Sequence, residues 1–122
     1  MKKILFFIAA ICTIVSCKDL PLIESKNPVP MYPDYMDITI PVNIAPLNFL
    51  LRNNANGVKV IAGGKELYSG DDNKVTFDIS SWKSFIKENS GKTVDVKVIA
   101  REGDKWVGYN SFKWQIVKDS ID

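Results

Sequence analysis

From Asp37 onward apolar and polar residues alternate with a period of two. Ile38, Ile40 and Val42 alternate with Thr39, Pro41 and Asn43, which predicts a strand, and Pro41 assigns it to a sheet edge or a bulge. Pro46-Leu47-Asn48-Phe49-Leu50-Leu51 continues as a second strand after the Ala45-Pro46 bend. Val58, Val60 and Ala62 lead into Gly63-Gly64 and on to Lys65, Glu66, Leu67 and Tyr68. Two such runs joined by a glycine pair predict a hairpin with a two-residue primed turn. Residues 69–73 read as a loop, after which Val75, Phe77 and Ile79 share one side of a further strand.

The period then changes. Trp82, Phe85 and Ile86 stand at helical spacing, with Ser80 or Ser81 placed to cap and Gly91 placed to stop the helix. The last long hairpin has Val94, Val96, Val98 and Ala100 on one side and Thr93, Asp95, Lys97 and Ile99 on the other. Glu102-Gly103-Asp104 turns it, and Trp106, Val107, Phe112, Trp114 and Ile116 form the returning arm. About seven short strands and one short helix over residues 35–119 predict an all-β fold, a β-sandwich of immunoglobulin or fibronectin type, with one core.

Residues 4–15 break with this pattern. They carry no charge and no proline, follow Lys2 and Lys3, and end at Ile14-Val15-Ser16-Cys17. A run of twelve is shorter than the ~20 residues of a membrane-spanning helix, and it has no polar face to suit a surface helix. A basic start, an apolar stretch and a small residue before cysteine form the pattern of a lipoprotein leader over residues 1–16, with Cys17 as the acylated first residue of the exported chain. Ile14 holds the position where leucine is commonest. Diacylglycerol on the thiol and an acyl chain on the amine give two anchors, enough for stable attachment at ~0.8 kcal/mol per buried methylene.

That processing changes the charge. The full chain has 16 basic and 14 acidic residues, but Lys2 and Lys3 leave with the leader, so the mature chain is neutral. Dispersed, balanced charge gives no footprint for nucleic acid. Cys12 is lost and Cys17 is acylated, leaving no thiol for a disulfide, a nucleophile or a metal, and the chain has no histidine. No cofactor is expected. Four of the six prolines lie in residues 17–34, after the anchor. This stretch is expected to be an extended spacer, at ~3.1 Å per residue, reaching several tens of ångströms. Its later part, around Met31 and Tyr35, is expected to lie along the domain. Lys18 at the second mature position lacks the aspartate of inner-membrane retention, so the outer membrane is expected, on its periplasmic face or the cell surface.

Candidate chemistry is sparse. Asp71, Asp72 and Asp78 are close in sequence, but Gly70-Asp71-Asp72-Asn73 reads as a solvated turn and lacks the spacing of a calcium loop. Trp82 and Trp114 fall on core positions. Trp106 and Tyr109, near the last hairpin turn, are the candidates for an exposed, glycan-stacking pair, with core packing as the favoured assignment.

The segment Tyr32-Pro33-Asp34-Tyr35, with Thr39-Ile40-Pro41-Val42-Asn43-Ile44-Ala45-Pro46-Leu47-Asn48-Phe49, resembles the amino-terminal domain of Bacteroidetes lipoproteins that continue into a TolB-like β-propeller, often described as cytochrome c biogenesis or haem-associated proteins. The resemblance runs from about Asn27 through Trp82-Lys83 to the tail at residues 120–122. It implies a β-sandwich in the cell envelope, either the front part of a propeller protein or a domain standing alone. The family's Cys-x-x-Cys-His motif and propeller blades have no counterpart in this chain, so no functional residue carries over.

The expectation is therefore a non-catalytic, lipid-anchored sandwich serving as an accessory or protein-interaction module. Its partners are the membrane and an envelope protein or its own propeller. The alternatives are a carbohydrate-binding module using Trp106 and Tyr109, and a structural part of a haem or cytochrome c maturation assembly.

Overall fold

The longest alternating run lies at the middle of the molecule. The computed structural model describes residues 20–119; the expected leader, the expected lipidation site at Cys17 and the tail at 120–122 lie outside them. Ten strands are described: β1 Leu22–Glu24, β2 Met31–Tyr32, β3 Ile38–Pro41, β4 Phe49–Leu51, β5 Val58–Ala62, β6 Lys65–Gly70, β7 Lys74–Val75, β8 Thr93–Glu102, β9 Lys105–Gly108 and β10 Phe112–Val117, with helix α1, Ile79–Glu88, between β7 and β8. β8 is flanked by β5 on one side and by β9 and β10, end to end, on the other; β6 pairs outside β5. β1 and β3 close the far edge, each parallel to its neighbour, β1 to β9 and β3 to β10. The second sheet is β2-β4-β7, antiparallel. The result is an all-β sandwich of two unequal sheets with one helix.

Alternation decides which faces meet. Val94, Val96, Val98 and Ala100 of β8 and Val58, Val60 and Ala62 of β5 are buried on the inner face of the large sheet. Met31, Phe49, Leu51 and Val75 of the small sheet cover part of them. A run of aromatic contacts joins the layers: Phe49 to Phe77 (6.2 Å), Phe77 to Trp82 (5.1 Å) and Trp82 to Trp114 (5.8 Å between ring centres). Both indoles are at most 1 % exposed. Their N–H groups donate to loop carbonyls, Trp82 to Ile44 at 3.1 Å and Trp114 to Tyr35 at 2.8 Å, so their burial leaves no donor unmet.

The expected hairpins form. Gly63 and Gly64 both take positive φ, +61° and +78°, as a type I′ turn requires, and Ala62 pairs with Lys65 across it. β3 is an edge strand, as Pro41 implies. The stretch after Val75 departs from expectation. β7 ends at Val75, and Ile79 is the first helical residue, 62 % exposed, so it shares no buried face with Val75 and Phe77. The cap is Asp78, not Ser80 or Ser81. Its Oδ2 accepts from the backbone N–H of Ser81 at 3.0 Å and from the Ser81 hydroxyl at 3.2 Å, satisfying a helix-terminal donor one turn in.

The larger departure is before residue 35. The stretch expected to be a spacer is folded from Leu22 on; its later part, around Met31 and Tyr35, lies along the domain as expected, and the departure is in residues 22–30. β1 and β2 each belong to a sheet, and Val29 and Met31 lie in the core. The prolines permit this because the sheet uses their carbonyls and asks for no N–H. Trp106 N donates to Pro21 O and Arg52 N to Pro30 O, both at 2.8 Å. Ser25 N to Gly108 O (2.9 Å) and Asn110 N to Asn27 O (3.0 Å) complete the docking. The folded unit thus begins well before the expected boundary at 35, and the reach of several tens of ångströms does not apply to residues 22–34.

Candidate functional site

The two residues singled out as an aromatic platform lie at one end of the large sheet, where β8 turns into β9 and where β1 begins. Glu102 pairs with Lys105 across Gly103, whose φ is +67°. Because β1 is parallel to β9, Leu22 stands beside Trp106 at this end.

Trp106 points to the outer face. Its ring is partly covered, with the Lys59 ammonium 4.9 Å from its centre, a cation–π contact in range. Tyr109 is different: it is 8 % exposed and belongs to the core. Strand parity explains the split. Val107 and Tyr109 alternate with Trp106, so they share the opposite, inner side. Gly108 stands opposite Ile99 and Phe112 opposite Val96, so four steps on this arm match three on β8. The extra residue is a bulge at 109–111, and it shifts the inward positions to Phe112, Trp114 and Ile116. The two rings therefore share no surface: the candidate stacking pair does not form, and Tyr109 takes the core position favoured for it.

Tyr109 instead holds a polar cluster under the hairpin. Its hydroxyl donates to Glu102 Oε2, and Asn53 Nδ2 donates to both the Tyr109 oxygen (2.9 Å) and Glu102 Oε2 (3.0 Å). Burial first, and then the hydrogen bond and charge of Glu102, push the Tyr109 phenol up to about 12. Asn53 comes from a loop 49 and 56 residues away in sequence from its two partners, a distance at which no local pattern signals the contact. This cluster joins the hairpin to the loop before β5.

Two of the acidic residues at 71–78 are similarly occupied. Asp72 Oδ1 accepts from Lys74 N at 2.9 Å in an Asx turn, and Asp78 caps the helix. Among the described residues, no group of three or more His, Cys, Asp or Glu is placed to hold a metal ion, and no helix is long and apolar enough to cross a membrane.

Two grooves lie elsewhere. One, about 420 Å³, runs between β6 and the length of α1, lined by Lys65, Glu66, Ser81, Ser84 and Glu88, with Lys65 and Glu88 3.6 Å apart. The other, about 470 Å³, has an apolar floor of Val42, Ile44 and Ile86 rimmed by Lys83, Lys87 and Lys118. Its basic rim was not legible in the sequence, because the fold gathers it from the helix and from the residue after β10. No protein-family model, curated protein or solved structure matches this chain.

Proposed function

We propose that the chain is a non-catalytic lipoprotein of the cell envelope, a small sandwich fixed to a membrane through Cys17 that serves as an accessory or protein-interaction module. The observation that carries this is the uncharged run at 4–15 ending in Ile14-Val15-Ser16-Cys17 and followed within five residues by a folded strand. The occupied state of the acidic and aromatic candidates supports a binding role over a catalytic one. Asp72, Asp78 and Tyr109 are each engaged in holding the fold. The resemblance to the front domain of TolB-like propeller lipoproteins supports the outer membrane as the setting, and a propeller or another envelope protein as the partner.

The anchoring step has a direct test. A Cys17→Ala variant, expressed in a bacterium that processes lipoproteins, is expected to move from the membrane fraction to the soluble envelope fraction. Retention in the membrane as firm as that of the parent overturns the proposal.

A further inference from the structure

The folding of residues 22–34 shortens the leash. Four peptide links separate Cys17 from Pro21, and at no more than about 3.6 Å per residue they span at most about 14 Å, whatever their conformation. Pro21 is itself fixed, since its carbonyl accepts from Trp106 N at 2.8 Å. A lipid on Cys17 therefore cannot lie far from the end of the sheet at which β1 begins. That same end carries apolar surface. Leu22 and Ile23 are 53 % and 47 % exposed on the edge strand, and the partly covered Trp106 ring lies beside Leu22 with Lys59 over it.

We infer that the sandwich stands on its own bilayer, with the end formed by β1 and the β8–β9 turn against the lipid headgroups and with Leu22, Ile23 and Trp106 in the interfacial layer. The inference rests on the lipoprotein reading and deepens it by naming the surface that meets the membrane. Tryptophan with lysine suits that layer, where an apolar ring and a charged tip are both accommodated. The strand directions then put the opposite end, with Val117, Pro41 and the lysine-rimmed groove, away from the lipid.

The three tryptophans make the test selective, because Trp82 and Trp114 are enclosed in the core and Trp106 is not. The purified lipidated protein is reconstituted into phosphatidylcholine vesicles carrying a headgroup-level nitroxide quencher. Part of the tryptophan emission is expected to be quenched. That part is expected to disappear in Trp106→Phe, and to fall several-fold when twelve Gly/Ser residues are inserted between Asp19 and Leu20. Vesicle-bound protein whose emission is unquenched overturns the orientation and leaves the anchor intact; emission equally quenched with the insertion overturns the short tether as the cause of the orientation. Trp106 shielded from aqueous iodide yet untouched by the lipid quencher overturns it too, in favour of a second protein surface covering this end. Protein that does not stay with the vesicles overturns the lipoprotein reading and this inference together.

Discussion

Tyr109 shows how one side chain can look available in sequence and be committed in the fold. Its phenol is pushed up to about 12 by burial and by Glu102, above the value near 10 it has in an unfolded chain. Between these values the folded state keeps a proton that the unfolded state releases, so stability falls as pH rises from about 10 through about 12 and is fully present below. The loss is on the order of 3 kcal/mol for a shift of this size. Spectrophotometric titration is expected to show one tyrosine ionising later than the rest, and Tyr109→Phe is expected to abolish that late step. The same variant deprives Glu102 and Asn53 of their shared partner, at an expected cost of about 1–2 kcal/mol in urea unfolding. The inward position of Tyr109 follows from counting parity from Val107. What parity alone does not reveal is the bulge after it, which is why Phe112, Trp114 and Ile116 also point inward although they fall on the other parity.

At the scale of the element, Asp78 and the β1–β2 stretch carry the clearest expectations. Asp78→Ala removes the acceptor for Ser81 N and is expected to lower stability by about 1 kcal/mol, measured as a shift in urea midpoint without a change in slope. A chain begun at Tyr35 lacks β1 and β2 and two core residues, Val29 and Met31. At ~1.5–3 kcal/mol per buried side chain the deficit is about 3–6 kcal/mol, a large share of the stability of a small domain. Such a truncation is expected to be largely unfolded by circular dichroism, whereas one begun at Leu20 is expected to fold. Elements with local signals were legible. The glycine pair fixed the β5–β6 hairpin, and strict alternation fixed β8. β1 was not legible, because a three-residue parallel pairing with a strand more than 80 residues later leaves no periodicity in its own text, and its prolines read as a spacer until their carbonyls are seen accepting bonds. The aromatic candidates were legible as residues and not as a site, since a platform depends on both rings sharing a face.

For the whole molecule the governing feature is polarity. The chain joins the large sheet at the β8–β9 turn and leaves it beyond Val117 at the opposite end, where Lys118 borders the basic groove. An attachment near Leu20 and a continuation near Asp119 therefore sit at opposite poles. Since β1 runs parallel to β9, and β3 parallel to β10, tension between those poles slides neighbouring strands along one another, and the bonds of each ladder share the load at once. A pull on the two open ends of the β5–β6 hairpin meets its bonds in turn, like a zip. Force spectroscopy with handles near Leu20 and Asp119 is expected to show rupture at much higher force than handles on Val58 and Gly70, so the parallel edges suit the domain to bear tension from pole to pole.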